Sequence, residues 1–272
     1  VLAGVSTSAM ADTNVVLNNA GNIIGGTDAT ALAGKGNSVI LGNKAKSEES
    51  DSIIIGSGST NAGYGSVTLG YKAAGNSRNG ITIGDSASTV GAGAIAIGSM
   101  AKTSGGNSTT AVGIQSNAKE DGASAFGAAS NASGTLSTAI GRNTKATEKS
   151  ASAFGDSSSA TAWGATAVGV GASARADNSI AVGSAAVTEG RESTALGRRS
   201  YAGAQSATAL GTLANAKAIV STAVGNAAEA SAVGASALGN TAAASGRGSM
   251  ALGYASKASG VDALASGSNA NA

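Results

Sequence analysis

A glycine recurs along this chain at a nearly constant interval, and this period constrains the fold more than any other feature of the sequence. The interval is 14 residues in 15 of 16 cases and 15 residues once, between Gly98 and Gly113. A short period sustained over so many copies predicts a solenoid in which each repeat forms one coil. The glycines are Gly42, Gly56, Gly70, Gly84, Gly98, Gly113, Gly127, Gly141, Gly155, Gly169, Gly183, Gly197, Gly211, Gly225, Gly239, Gly253 and Gly267.

The residues before each glycine alternate in character, which predicts a short β-strand. With the glycine as position 0, position −1 is Val, Ile, Leu or Phe in every coil except the last, which has Ser266. Position −3 is β-branched or apolar in most coils, whereas Ala, Ser and Thr prevail at −2 and −4. Small residues at +3 and +5, such as Ala172 and Ala174, indicate a second strand in each coil.

The alternation also suggests which side chains lie inside the coil. We expect the bulky residues at −1 and −3 to fill the interior opposite the small residues at +3 and +5, because large against small packs two close layers without voids. The glycine is expected to adopt a positive φ at a corner. On this assignment, Ile140→Asp would cost several kcal/mol and Lys145→Asp almost nothing.

Charged residues are absent from positions −4 to −1 in every coil. In the second strand they occupy +4 and +6, as do Lys46, Lys145 and Arg175, and the others lie in the corners. A strand without charge on either face is typically buried on both faces. We therefore expect the small residues at −2 and −4 to contact further copies of the chain in a parallel, cyclic homo-oligomer. The alternative is that these residues are tolerated at a solvent-exposed face.

The two ends of the chain depart from the period. Residues 1–37 are predicted to form an irregular N-terminal segment that caps the first open edge, and residues 38–272 a β-roll of about 17 coils. The roll stops in mid-repeat, as expected of a piece of a longer protein. Val1–Ala11 ends like the tail of a signal-peptide cleavage site, and an irregular first coil is the alternative. The extra residue near Ser104–Asn107 falls in a glycine-rich corner and should leave the strand registers intact.

The composition argues against several functions. The chain has no His and no Cys, which removes the commonest general base, the thiol nucleophile and the usual soft metal ligands. We predict no catalytic, cofactor-binding or metal site, no cofactor, and no enzymatic activity. A net charge of +2 gives no electrostatic case for binding nucleic acid. No apolar run reaches about 18 residues, so no membrane-spanning helix is predicted.

Three units carry a resemblance to a known family: Ser-Ile-Ala-Val-Gly-Ser-Ala-Ala (179–186), Ser-Thr-Ala-Val-Gly-Asn-Ala-Ala (221–228) and Ser-Met-Ala-Leu-Gly-Tyr-Ala-Ser (249–256). They closely resemble the repeats of YadA-like heads of trimeric autotransporter adhesins, and the resemblance covers roughly residues 37–272. It implies an all-β, left-handed parallel β-roll (β-solenoid) assembled as a parallel homotrimer. It also implies display at the outer membrane of a Gram-negative bacterium, with membrane contact only through an anchor domain outside this sequence.

The resemblance further implies a function in adhesion. Its expected partners are extracellular matrix proteins, host cells, other bacteria or abiotic surfaces, in virulence and biofilm formation. A passive spacer within a longer adhesin fibre is one alternative. An ice-binding solenoid is another, because Thr residues form a partial ladder at position −3, but they share this column with Ile and Val, as buried residues would. These threonines are Thr138, Thr166, Thr194, Thr208 and Thr222.

Acidic and glycine-rich segments offer only weak candidate sites. Asp85 and Asp156 both occupy position +1 but are five coils apart. The acidic pairs Glu48–Glu49 and Glu120–Asp121 are interpreted as solvated turns rather than calcium sites. The segment Gly56–Thr60 lies within the coil register and lacks a following Lys, so it does not indicate a phosphate loop.

Basic and aromatic residues give two further candidates without naming a ligand-binding residue. One is a positive patch beside Tyr201, for which an ordinary solvated face is the alternative; it would comprise Arg191, Arg198, Arg199 and Lys217. The other is a set of corner aromatic residues that either contact a ligand or cover the seam between chains: Trp163, Tyr64, Tyr71 and Tyr254.

Overall fold

The computed structural model describes residues 15–272, and the chain divides into an N-terminal unit that ends at Ser116 and a C-terminal unit, Asn117–Ala272. The proposed signal-peptide remnant at Val1–Ala11 lies outside the described residues. In the described part, every regular element is a β-strand. No helix there has the length and apolar character needed to cross a bilayer.

The N-terminal unit stacks its coils as two parallel sheets, as the period predicts. Equivalent strands of successive coils pair in register, for example Ile81↔Ile95. The first sheet begins with β1 (Val16–Leu17), which is antiparallel to its neighbour. The parallel strands of this sheet are β2 (Ile23–Gly25), β4 (Val39–Leu41), β6 (Ile53–Ile55), β8 (Val67–Leu69), β10 (Ile81–Ile83), β12 (Ile95–Ile97) and β14 (Thr110–Val112). The second sheet contains β3 (Thr30–Ala31), β5 (Lys46–Ser47), β7 (Thr60–Asn61), β9 (Ala74–Asn76), β11 (Ser88–Val90) and β13 (Lys102–Thr103).

The C-terminal unit repeats this arrangement with fewer exceptions. Its first sheet contains β16 (Ser124–Phe126), β18 (Thr138–Ile140), β20 (Ser152–Phe154), β22 (Thr166–Val168), β24 (Ile180–Val182), β26 (Thr194–Leu196), β28 (Thr208–Leu210), β30 (Thr222–Val224), β32 (Ser236–Leu238), β34 (Met250–Leu252) and β36 (Leu264–Ser266). Its second sheet contains β15 (Asn117–Ala118), β17 (Asn131–Ala132), β19 (Lys145–Ala146), β21 (Ser159–Ala160), β23 (Ser173–Ala174), β25 (Val187–Thr188), β27 (Tyr201–Ala202), β29 (Asn215–Ala216), β31 (Glu229–Ala230), β33 (Ala243–Ala244) and β35 (Lys257–Ala258).

Two irregularities occur in the N-terminal unit. β1 pairs antiparallel with β2, and β2 pairs in parallel with β4, so coil pairing begins at Ile23, within the segment predicted to cap the roll. The domain boundary at residue 37 stays a prediction. In the 15-residue interval, β12 and β14 keep the common register, Ala96↔Ala111, as predicted. Gly105 in the intervening corner has a φ of 129° and open space where a Cβ would lie.

The interior of the C-terminal unit is lined by small side chains, and our prediction of which residues fill it is wrong. Position −2 is a buried Ala in every coil from Ala125 to Ala265. In β18, Ala139 is fully buried whereas Ile140 is 39% exposed. The facing residues at +3 and +5 are small and buried as well, for example Ala146. Because a shift of one residue exchanges the two faces of a strand, positions −2 and −4 lie inside, and −1 and −3 point outward.

The interior of the N-terminal unit uses the same positions with larger and more polar residues. Ile40 and Ile54 at position −2 are fully buried. Thr68 takes this position in β8, and a Cβ on Gly75 in the opposite sheet would lie 2.0 Å from its Oγ1. In the coils on either side, two larger residues face each other: Ile54 and Asn61 are both fully buried, and the Thr82 and Thr89 hydroxyls lie 2.7 Å apart, so the expected pairing of large with small does not hold in every coil.

The repeated glycine forms a corner with positive φ, which confirms the prediction. Gly183 has a φ of 129°, and a Cβ there would lie 2.5 Å from the carbonyl oxygen of Gly197, the equivalent glycine of the next coil. Glycine is therefore required both by its backbone conformation and by the close stacking of coils. Two further positions in each coil, +2 and +9, also adopt the left-handed conformation, and in many coils they are not glycine. Ala185 at +2 and Asn178 at +9 both have a φ of 55°. The sequence pattern did not indicate these.

Candidate interaction surfaces

The outer face of the first sheet, formed by positions −1 and −3 and here called the first-sheet face, is apolar in the N-terminal unit. From β4 to β12 both positions hold Val, Ile or Leu in every coil. Ile53 and Ile55 are each more than two-fifths exposed. Side chains of this kind on an outward-facing sheet indicate an interaction surface.

In the C-terminal unit the first-sheet face has one apolar column and one column rich in hydroxyls. Position −1 carries Val, Ile, Leu or Phe from Phe126 to Leu252, and Leu196 is 47% exposed. Position −3 is mostly Ser or Thr, interrupted by Ile180 and ending in Met250 and Leu264. The threonines of the partial ladder therefore point outward, which corrects our interpretation of them as buried residues. They align directly between neighbouring strands, as in Thr194↔Thr208.

The outer face of the second sheet, formed by positions +4 and +6 and here called the second-sheet face, is polar, as predicted from the charges. Ion pairs there link residues of successive coils. Arg175 contacts Glu189 at 2.8 Å, and Lys217 contacts Glu229 at 2.5 Å. The Tyr201 hydroxyl donates to Glu189 at 2.8 Å, and this hydrogen bond raises the pKa of Tyr201. Each pair is exposed and is expected to add little stability.

The structure does not assemble the predicted positive patch beside Tyr201. Lys217 lies on the second-sheet face with Glu229, and Arg191 lies in a corner 3.4 Å from Glu192. Arg198 and Arg199 follow Gly197, in the opposite corner of the coil. The basic residues are therefore spread over two corners and one face, and two of them are paired with carboxylates.

The four corner aromatic residues are about half exposed. Tyr64 and Trp163 lie in the corner that precedes a first strand, whereas Tyr71 and Tyr254 lie in the corner that follows one. A hydrogen bond to Asp51 raises the pKa of Tyr64. The backbone N–H of Trp163 donates to Asp177 of the next coil.

The acidic and glycine-rich candidates occupy ordinary coil positions. The Arg142 guanidinium, 2.7 Å from Asp156, holds the pKa of that carboxyl below its usual range, while Asp85 accepts from Ser86. Lys46 contacts Glu48 on the second-sheet face, and Lys35 contacts Glu49, each at 2.8 Å. Glu120 and Asp121 lie in the corner after β15, and Gly56–Thr60 runs from a corner into β7. Residues 15–272 contain no group of three or more His, Cys, Asp or Glu that could hold a metal ion.

A shallow groove of about 420 Å³ lies at the corners of the last coils. It is lined by Val233, Gly234, Arg247, Gly248, Val261 and Asp262. A Cβ on Gly248 would lie 2.2 Å from Oδ1 of Asp262, another lining residue. The groove is open to solvent and combines two apolar residues with one basic and one acidic side chain. It does not resemble the enclosed, mostly apolar cleft of a small-molecule site.

A comparison with protein families identifies the same repeat along the chain. The family model for the YadA head domain repeat (2 copies) matches more than half of the chain, in residues 90–109, 105–130, 132–158, 160–186, 189–214, 216–242 and 244–270. Among solved structures, the collagen-binding domain of the Yersinia adhesin YadA matches with 24% sequence identity over 61% of this chain and 69% of that chain, with a TM-score of 0.22. None of the curated proteins searched matches the chain.

Proposed function

Since the chain belongs to the YadA head domain family, we propose that it is the adhesive head of a trimeric autotransporter, displayed at the bacterial surface as three parallel copies. The observation that carries the proposal is the first-sheet face, which has an outward apolar column and no charged residue in any coil. Apolar columns of this kind are stabilised when another surface removes them from water. Three copies of the chain around a common axis would cover the face of each.

In this trimer the polar second-sheet face stays in contact with solvent and forms the binding surface. It presents the same positions in coil after coil, so weak contacts with a ligand can be repeated along each copy and across three copies. Such contacts gain strength through multivalency without a deep pocket. The proposed targets are extracellular matrix proteins, host cells, other bacteria and abiotic surfaces. The protein acts without catalysis and without a cofactor.

Adhesion is tested by measuring retention of the purified protein on collagen, fibronectin, laminin, cultured cells and plastic. We expect retention on at least one of these surfaces above an albumin-coated control. The double variant Ile140→Asp, Leu196→Asp places charges on the first-sheet face and should lose both assembly and retention. Absence of retention on every surface by a protein of trimeric mass would contradict adhesion and favour a passive spacer. Deletion of this segment from the intact adhesin would then leave attachment unchanged.

One observation favours ice binding as a second candidate. The threonines at −3 are outward-facing and lie beside an apolar column, an arrangement that can order water at a flat surface. Ser152 and Ile180 interrupt the threonine column. Ice binding requires this face to be free, whereas the adhesin proposal requires it to be covered by other copies. Thermal hysteresis by a monomeric protein in dilute solution would support ice binding and contradict the trimer.

A further inference from the structure

A single aromatic side chain lies on the second-sheet face. Tyr201, at +4 in β27, is the only aromatic residue at +4 or +6 in the coils that follow Gly42. Two residues later, Gly203 is the only glycine at +6 in these coils. Gly203 does not have a positive φ, so its backbone conformation gives no reason for glycine. The two exceptions in one strand therefore call for a common explanation.

The glycine makes room for the tyrosine ring. A Cβ on Gly203 would lie 2.5 Å from Cε1, 2.7 Å from Oη and 2.8 Å from Cζ of Tyr201. The ring therefore lies across the sheet, in the space that the side chain at +6 occupies in other coils. Its hydroxyl donates to Glu189 of the preceding coil at 2.8 Å, and Glu189 accepts from Arg175 at 2.8 Å. These contacts hold a partly exposed phenol ring in one orientation on the face.

Charged side chains border the ring on both sides along the stack. In the +6 column Glu189 precedes Gly203 and Lys217 follows it, each one strand or about 5 Å away. Lys217 contacts Glu229 at 2.5 Å, as Glu189 contacts Arg175. The two ion pairs together have no net charge. The ring is therefore a small apolar platform surrounded by hydrogen-bonding groups of both signs.

We propose that Tyr201 and the charged residues beside it bind a neutral sugar residue of a glycan. One face of a pyranose carries C–H groups that pack on an aromatic ring, while the hydroxyls at its edge hydrogen-bond to side chains around that ring. Here Glu189 accepts from sugar hydroxyls at one edge of the platform, and Lys217 donates to them at the other. This inference rests on the adhesive function proposed above and names a ligand class for the second-sheet face.

Two other ligand classes fit the platform less well. Proline-rich segments dock into grooves lined by several aromatic side chains, whereas this face has one ring. An acidic glycan is attracted by an excess of basic residues, whereas the charges here are balanced within two ion pairs. A neutral sugar requires neither feature. A contact of this size is weak by itself and gains strength when several copies of the chain bind one glycan-coated surface.

Binding to sugar-coated albumin tests the proposal. The probes are albumin conjugates of glucose, galactose, mannose, N-acetylglucosamine and N-acetylgalactosamine, with bare albumin as the control. We expect the purified protein to bind at least one conjugate, and the corresponding free monosaccharide to compete. Conjugates of sialic acid and of a sulfated sugar, and a triple-helical Gly-Pro-Pro peptide, represent the other two ligand classes.

Two variants alter the platform by different means. Tyr201→Ser removes the ring, whereas Gly203→Ser fills the space that the ring occupies. Ser231 and Ser245 already stand at +6 in later coils, so we expect the second variant to fold. Both should weaken sugar binding at least about tenfold without a change in melting temperature. Tyr254→Ser, which removes a ring from a corner outside the second-sheet face, is the matched control and should bind like the unsubstituted protein.

Retention on matrix proteins, cells and plastic is measured with the same preparations, so that the two proposals can fail separately. Loss of sugar binding in both platform variants, but not in Tyr254→Ser, supports the site. Undiminished sugar binding in Gly203→Ser or Tyr201→Ser overturns it, as does binding only to the acidic conjugates or only to the peptide. Retention on a surface without binding to any neutral sugar overturns the sugar site and leaves adhesion intact. Absence of both retention and sugar binding overturns the two proposals together.

Discussion

At the scale of single residues, the corner glycine and the interior alanine have the least freedom. The glycine combines a left-handed backbone with direct stacking on the next coil, so a side chain there meets backbone atoms that cannot move aside. The alanine at −2 is fully enclosed between the two sheets in nearly every coil of the C-terminal unit. Elsewhere in the corners, residues such as Leu213 and Val220 adopt φ values of 61° and 56°, which are unusual for bulky and β-branched residues.

Gly183→Ala should destabilise the protein by at least about 2 kcal/mol, because it combines an unfavourable φ with a clash against Gly197. Gly171→Ala is the matched control: its φ is 66°, the site is open, and Ala185 occupies the same position of the next coil. That substitution should change stability by no more than about 1 kcal/mol. Chemical denaturation of the two variants measures the difference, and equal midpoints would contradict the stacking argument.

Tyr201 should titrate above the ordinary tyrosine pKa of about 10, because its hydroxyl donates to Glu189. The hydrogen bond favours the neutral phenol, so its contribution to stability is present below the unfolded pKa and is lost as pH rises through the folded value. Glu189→Gln should lower the pKa of Tyr201. The measurement is tyrosinate absorbance against pH, with Tyr201→Phe identifying the transition. An unchanged titration in Glu189→Gln would show that the carboxylate is not its partner.

At the scale of the strand, successive side chains of each first strand alternate between the interior of the roll and its outer face. Ala139 points into the roll and Ile140 points away from it, although they are adjacent in sequence. Burial of the larger residue therefore depends on other copies of the chain in the proposed trimer. The second strands have no such requirement, because most of their outer residues are polar or charged, and two ion pairs, Arg175–Glu189 and Lys217–Glu229, link successive coils.

Substitution of these neighbouring residues should separate folding from assembly. Ala139→Asp introduces a charge into the interior and should cost at least about 3 kcal/mol. Ile140→Asp should lower the free energy of unfolding of a single copy by about 1 kcal/mol or less, because the residue lies on the outer face. It should instead reduce the oligomeric mass. The sequence alone predicted a cost of several kcal/mol. Lys145→Asp on the second-sheet face serves as the neutral control. Loss of circular dichroism in Ile140→Asp and not in Ala139→Asp would restore the original assignment.

At the scale of the whole molecule, the distribution of apolar side chains over the faces is the main result. The interior contains little more than methyl and hydroxyl groups in the C-terminal unit, so its contribution per coil is modest. Larger apolar groups lie on the first-sheet face. The stability of such a protein is expected to depend on its association, as it does for obligate oligomers.

Light scattering of the purified protein at micromolar concentration should give three times the mass of the chain. The melting temperature should also rise with protein concentration, because association stabilises the folded state by mass action. The variant Ile140→Asp, Leu196→Asp should give a lower mass and a melting temperature independent of concentration. A stable monomer with the unsubstituted sequence would contradict the proposed trimer.

The period and the residue types by themselves determined the coil, its two strands, the glycine corner and the polar second-sheet face. These follow from local chemistry: only glycine fits the stacked corner, and charges at +4 and +6 stay in water. Only the tertiary structure decided which side of the first strand is the interior. The alternation of residue types is the same whichever face of the strand is buried. Because bulky residues are usually buried, we expected positions −1 and −3 to lie inside, whereas −2 and −4 do. Along most of the roll, alanine, serine and threonine from the two strands fill the interior, so the bulky residues of the first strand face outward. The constant alanine at −2, from Ala96 to Ala265, was the signal of this arrangement.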